Sequence, residues 1–332
     1  MKGKAAIGLR ALGMLGGGII FLILCGELWS HWTALKGYSW KLSLPIGLLS
    51  FGALLGSLFL LPWGLKVVLA LLGHPIPFFR MGKILFLSLM AKYLPGGWWT
   101  LVGRAHLYRQ EGLTLAQASV AVFLETILIV TAGIFVFAMF SLGSSSFLWD
   151  LQKIFLIGLG GVCLSLIHPL FLNLLLSLAE RIFKKPVTPL QYPYRKIAYP
   201  FFIFFLFWLG MGTSFWLLAD SLLGLELTAL PRMVSAFALS WVLGFLSLVT
   251  PGGLGVREGA LTLLLKPYLP FYAAVALGLL SRLWWMGGEI LGLVISLLAE
   301  RSSRGGFRIL SRKERGKLAL PSLPGEKRKS LV

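Results

Sequence analysis

Arginine and glutamate side chains set inside long apolar runs are the residues of this sequence best equipped for chemistry. Arg104 ends the segment Y-L-P-G-G-W-W-T-L-V-G-R at 93–104, and Glu125 stands in the apolar run after it. Arg257 and Glu258 follow P-G-G-L-G at 251–255, and Arg282 and Glu289 stand in the last apolar run. A charge near the centre of a bilayer costs on the order of 3 kcal/mol on insertion scales, so each of these groups needs a partner or water. Arg257 and Glu258 are neighbours in sequence and cannot face one another on a helix. The economical pairing is Arg104 with Glu125 and Glu258 with Arg282. Two readings follow. The pairs lock helices together, or some of them line a polar path in which Arg104 or Arg257 grips a phosphate through parallel N–H bonds while Glu125, Glu258 and Arg282 gate or balance charge. Backbone amides of Gly96, Gly97, Gly252, Gly253 and Gly255 would add an anion-binding nest where a helix begins after each turn.

The remaining inventory narrows the chemistry. Asp150 and Asp220 are the only aspartates, so no D-x-D pair exists to hold a metal-bound nucleotide sugar. His31, His74, His106 and His168 are scattered singly, without metal-ligand spacing. Cys25 and Cys163 both lie in apolar runs and give no disulfide framework. A G-x-x-x-x-G-K-[ST] phosphate loop is missing as well. No metal, no cofactor and no enzymatic activity are expected, and any transport would run down a lipid gradient, on ions or protons, or on another subunit. An intramembrane transferase is the third and weakest reading.

The elements that must position these ions are membrane spans. Of 332 residues 57% are hydrophobic and only 13% charged, too few charges to cover a soluble domain of this size. Apolar runs near 7–28, 43–72, 115–140, 153–178, 198–222 and 271–299 are each long enough, at roughly 20 residues or more, to cross a hydrocarbon core about 30 Å thick. Two further stretches, 79–110 and 232–266, are interrupted at Pro95 and Pro251 by P-G-G. Proline removes a backbone donor, and unwound backbone in lipid survives only where protein buries it or where it lines a watery cavity. The expected fold is an all-α polytopic membrane protein with about six transmembrane helices and two re-entrant or broken hairpins. The halves, about 5–141 and 150–300, share one order of elements with an odd number of crossings each, which makes them inverted repeats.

Charge sets the expected orientation. The chain carries 31 Lys+Arg against 12 Asp+Glu, a formal +19. Most basic residues fall before the first span, between spans two and three, between spans four and five, and after Glu300. The positive-inside rule then puts both termini in the cytoplasm and the chain in the cell inner (cytoplasmic) membrane. The tail 301–332 is expected to be disordered, a solvated topology signal that also has the charge to lie on anionic headgroups. No nucleic-acid motif accompanies it. Trp98, Trp99, Trp284 and Trp285 are expected as interfacial anchors, with the wall of a lipid-lined groove as the alternative, and Gly13-x-x-x-Gly17, Gly52-x-x-x-Gly56 and Gly288-x-x-x-Gly292 as close helix contacts.

At P-G-G-L-G-V-R-E-G-A (251–260), Ser281-Arg282-Leu283 and the 93–104 segment with Glu125, the chain resembles the lysylphosphatidylglycerol synthase transmembrane family, the flippase-like membrane proteins. The resemblance covers nearly all of residues 5 to 300. It implies two related helical halves with re-entrant helices, engaged in moving or handling lipids between leaflets. Position by position it implicates Pro95, Gly96, Gly97, Arg104 and Glu125, then Pro251, Gly252, Gly253, Gly255, Arg257, Glu258 and Arg282. Bifunctional members of the family add a large soluble domain that transfers an aminoacyl group; here a short basic tail stands in that place, so synthase activity is not expected. The leading expectation is a translocase for a membrane lipid with an anionic or polar headgroup. The alternative is a non-transporting scaffold, or a subunit that presents lipid to a partner enzyme. The oligomeric state is open.

Overall fold

The structure, a computed structural model, describes residues 18–30, 40–93, 99–143, 150–166, 194–247 and 250–318, with a few isolated positions between them. Pro95, Gly96, Gly97 and Trp98 lie outside the described residues, as do the beginning of the first expected span and most of 167–193. All the regular structure described is helical. A short apolar helix, α1 (Gly18–Ser30), precedes α2 (Leu44–Leu71). The first broken segment follows as α3 (Phe78–Met90), a 3-10 turn (Ala91–Tyr93) and α4 (Trp99–Gln110). Then come α5 (Leu115–Gly143) and α6 (Asp150–Leu166). The second half runs α7 (Tyr194–Leu223), α8 (Leu230–Leu246), a 3-10 turn (Pro251–Gly253), α9 (Val256–Leu265) and α10 (Phe271–Leu318).

Element order and packing repeat together. The helix before each broken segment, α2 or α7, packs most extensively on its counterpart, and the two 3-10 turns also touch each other. Across the halves, α3 packs on α10 while α8 packs on α5. Such reciprocal exchange is what a two-fold relation between halves produces. The central α2/α7 contact is close because small residues face it: a Cβ on Gly64 would meet the Phe204 ring at 2.6 Å, and one on Gly210 would strike Ser57. Ser50 Oγ, fully buried, donates to the Ser214 carbonyl at 2.8 Å across the same seam. With lipid tails as apolar as the helices, this kind of close packing supplies the association that hydrophobicity cannot.

Among the described residues five helices are long and apolar enough to cross a membrane: Leu44–Leu71, Leu115–Leu142, Arg195–Leu223, Leu227–Leu246 and Phe271–Ser302. The chain is a multi-pass helical membrane protein. Two expectations are refined. First, α8 with the turn before it is itself of crossing length, so the second broken segment consists of a full-length arm followed by the ten-residue α9, and is not a symmetric short hairpin. The first is shorter, with arms of 13 and 12 residues. Second, α10 continues from the membrane past Glu300 to Leu318, through a segment expected to be disordered. Its Arg, Lys, Glu and Leu are good helix formers, and the next proline comes only at Pro321.

The Gly288 and Gly292 pair behaves as the spacing suggests: a Cβ at Gly288 would reach Leu54 at 2.7 Å, and one at Gly292 would reach Phe86 at 2.7 Å. Gly52 and Gly56, by contrast, have nothing within 4 Å. Their face of α2 takes no part in packing among the described residues.

Candidate functional site: a charged cavity between the broken helices

Two buried ion pairs hold the broken helices to the spans that follow them. In the first half, Arg104 on α4 donates from Nη1 to Glu125 Oε1 on α5 at 2.7 Å and from Nε to Ser88 Oγ on α3 at 3.0 Å. Tyr108, one turn after Arg104 on α4, donates its hydroxyl to the other oxygen of Glu125 at 2.8 Å. Glu125 is 2% exposed and both its oxygens are engaged. In the second half the polarity is reversed: Glu258 sits on the short helix α9 and Arg282 on the span α10, with Nη1 2.5 Å from Glu258 Oε1. The same carboxylate turns its other oxygen to the Gly255 N–H at 2.7 Å, so it caps α9 at the positive end of the helix dipole. Tyr108→Phe would remove one bond to a buried carboxylate. We expect it to lower stability by about 1–3 kcal/mol, read as a fall in the apparent unfolding midpoint in detergent with the fold retained.

A third pair joins the halves. Lys92, in the 3-10 turn of the first broken segment, places Nζ 2.5 and 2.6 Å from the two oxygens of Glu289 on α10. Trp285, one turn earlier on α10, donates its indole N–H to Glu289 at 2.6 Å. Its ring also lies under Arg257, whose guanidinium carbon is 4.4 Å from the Trp285 ring centre and 5.1 Å from that of Phe237. Stacked on two aromatic faces, the guanidinium is held without spending its N–H donors on those contacts.

The turn at 251–255 is shaped by glycine. Gly252, Gly253 and Gly255 have φ of +55°, +70° and +79°. At Gly253 the need is double, since a Cβ there would also lie 2.8 Å from the Gly244 carbonyl oxygen on α8. Gly244 is close-packed in turn: its own Cβ would meet Arg257 Cβ at 2.8 Å. The turn thus presses onto α8 and sets Arg257 against it. On the other side, Gly252 approaches Lys92, whose carbonyl oxygen would be 3.3 Å from an added Cβ.

These groups line a partly open cavity of about 140 Å³, its wall made by Lys92, Arg104, Glu125, Arg257 and Glu289 together with the backbone at Gly252 and Gly253. Thr100, Thr126 and Thr250 add hydroxyls, and leucine and aromatic side chains form the remaining wall. That space admits several waters or a phosphate-sized group. Of the residues singled out in the sequence, the structure brings Arg104, Glu125, Arg257, Gly252 and Gly253 to the cavity wall. Glu258, Arg282 and Gly255 stand behind it and fix α9. The Pro251 backbone forms part of the 3-10 turn.

Lys92 and Glu289 are the site residues that sequence reasoning missed. In the sequence Lys92 is one of the basic residues between spans two and three and Glu289 an acid in the last apolar run; the signal that joins them is a cation three residues before the first P-G-G and a carboxylate seven residues after Arg282. Lys92 therefore lines the cavity beside Arg104 and is not an exposed loop charge. The tryptophans differ from expectation too. Trp284 and Trp285 are 8% and 4% exposed, buried by the aromatic cluster and the Glu289 bond, whereas Trp99 is half exposed, as an interfacial residue would be.

Fold and site define a polytopic helical membrane protein with an internal, ion-lined cavity at the meeting of two broken helices. Residues 7–285 match the family described as the lysylphosphatidylglycerol synthase TM region. The chain belongs to that family. A comparison with curated proteins gave no match.

Proposed function

We propose that the chain is a flippase-like translocase that passes a lipid headgroup through the cavity between the two broken helices while the tails remain in lipid. The observation that carries this reading is the cavity itself: three cations, two carboxylates and glycine backbone gathered at the contact of the two halves. Family membership supports a role with membrane lipids. In this reading Arg104 and Arg257 engage phosphate, and Glu125, Glu258 and Arg282 balance or gate charge. The backbone at Gly252 and Gly253 lines the headgroup's path and the turn at Pro251 lets it approach, whereas the Gly255 N–H, which the sequence offers to an anion, is taken by Glu258.

The reading excludes catalysis at the cavity. Glu125 is bound by Arg104 and Tyr108, and Glu289 by Lys92 and Trp285, so neither is poised as a base toward a substrate. The matched family region is the membrane portion and not the aminoacyl-transferring domain. The surrounding membrane is the cytoplasmic one, with both termini on the basic, cytoplasmic side.

Purified protein reconstituted into liposomes tests the proposal. Leaflet exchange of a labelled anionic phospholipid is expected to exceed that of protein-free vesicles several-fold. Equal rates under every imposed gradient would contradict it. The ion pairs that fasten α4 and α9 to the spans equally suit a rigid, lipid-presenting subunit for a separate enzyme, and that second reading predicts the equal rates.

A further inference from the structure

The cavity wall is not sealed equally on all sides. Leu61 and Leu65 on α2, Leu85 on α3, Phe204 and Phe207 on α7 and Trp285 on α10 are all buried. The lining residues on α4 (Thr100 and Leu101), α5 (Thr126 and Ile129) and α8 (Trp241 and Phe245) are instead half-buried, touching the cavity on one side and the molecule's surroundings on the other. Leu89 and Lys92, at the turn that leads into α4, share this partial exposure. One turn beyond Ile129 the gap is shut, because a Cβ on Gly133 would lie only 3.0 Å from Val242 of α8. Positions 126 and 129 stand on either side of the middle of the crossing helix Leu115–Leu142, so the gap lies at mid-depth and faces hydrocarbon.

We propose that this gap, between α4 and α5 on one side and α8 on the other, is a lateral portal: a lipid puts its headgroup into the cavity through it while its hydrocarbon chains lie against Leu101, Ile129 and the Trp241–Phe245 stack. This rests on the cavity being the headgroup site of the proposed function. It adds where the chains go, and with that the class of molecule admitted, an amphiphile already held in the bilayer and not a solute arriving from water. The wall suits an extended chain. Trp241 and Phe245 stack with ring centres 5.3 Å apart and planes 5° apart, a flat apolar strip two rings long. Trp241 rests edge-on against Trp208 at 5.0 Å, and the Trp208 indole N–H donates to the Ile129 carbonyl of α5 at 2.8 Å. The strip is thus tied across to the opposite side of the gap and needs little ordering when a chain arrives. Apolar groups at the mouth with the buried Arg104 and Arg257 behind them repeat the order of tail and head in an amphiphile.

Photolabelling in liposomes tests the portal. The full chain is reconstituted with phosphatidylglycerol that carries a diazirine on its headgroup, and labelled residues are read by peptide mass spectrometry. Lipid that merely surrounds the protein keeps its charged head at the bilayer surface and labels helix ends. Entry through the portal is expected to add label at mid-depth, on Thr126, Trp241 and Thr250; label confined to helix ends would overturn the proposal. A second arm uses diazirine-bearing glycerophosphoglycerol, the same head without chains, which is expected to label the cavity about tenfold less or weaker still. Equal labelling by the two would mean entry from water and would overturn it as well. Leu101→Trp narrows the mouth and is expected to cut mid-depth labelling about tenfold or more. Ile154→Trp, at an exposed position of α6 away from the cavity, is expected to leave it unchanged. Thermal unfolding shows whether each variant is folded; should Leu101→Trp fail to fold, a bulky maleimide attached to folded Leu101→Cys, with Cys25→Ala and Cys163→Ala, blocks the same gap. Undiminished mid-depth labelling in a folded, blocked protein would overturn the portal. Leaflet exchange is read separately: mid-depth label without exchange keeps the portal and removes the translocase, whereas exchange without mid-depth label keeps the translocase and removes the portal.

Discussion

Glu125→Ala is expected to destabilise the protein by about 3–5 kcal/mol, among the largest effects of any single substitution in the chain. The carboxylate is 2% exposed and receives both the Arg104 guanidinium and the Tyr108 hydroxyl. Its removal leaves a cation in a low-dielectric interior with one remaining bond, to Ser88. The cost is therefore that of an uncompensated charge and exceeds the net worth of the pair. Arg104→Met combined with Glu125→Met removes both charges, and is expected to recover most of the lost stability while abolishing the cavity's polar wall on that side. Apparent unfolding midpoints in detergent check both statements. A Glu125→Ala midpoint within a degree or two of wild type would show that the pair is hydrated and that α4 is not fastened as described.

Gly253→Ala is expected to be comparably severe, for reasons of backbone and space. A left-handed backbone costs a residue with a Cβ roughly 1–2 kcal/mol. The added carbon would in addition sit 2.8 Å from a main-chain oxygen of α8, which has no side-chain freedom with which to yield. Relief requires the turn to leave α8, and Arg257, set against Gly244, would move with it. The expected result is a loss of about 3 kcal/mol or more together with loss of lipid exchange. Gly52→Ala is the matching control. That glycine lies within α2 with nothing within 4 Å, so alanine is expected to be neutral or to stabilise by up to about 1 kcal/mol through helix propensity. Similar losses in both variants would show that general glycine sensitivity, not the turn, is responsible.

The membrane character, the two broken helices and the pairing of Arg104 with Glu125 and of Glu258 with Arg282 were legible in the sequence, because lipid makes a buried charge costly enough to demand a partner. Pairing within a half was easy to infer, since each partner lies on the next element along the chain. Lys92 and Glu289 are separated by 197 positions, and only the exchange of α3 and α10 across the halves brings them together. Composition and spacing carry no information about that exchange. The burial of Trp284 and Trp285 was hidden for a related reason: tandem tryptophans at an interface and tryptophans under an arginine look alike in one dimension. The length of α8 was obscured by the expectation that both P-G-G turns divide similar hairpins.

The Lys92–Glu289 pair is the contact through which the two halves share one cavity, and exchanging its charges tests the account most directly. Leaflet exchange of phosphatidylglycerol would be measured in liposomes for Lys92→Glu, Glu289→Lys and the double exchange. Each single variant sets like charges against each other and is expected to lose exchange at least about tenfold, a penalty of roughly 1.4 kcal/mol; the double variant is expected to regain most of it. Wild-type rates in both single variants, or a folded double variant as inactive as either, would contradict a lipid path between the two broken helices.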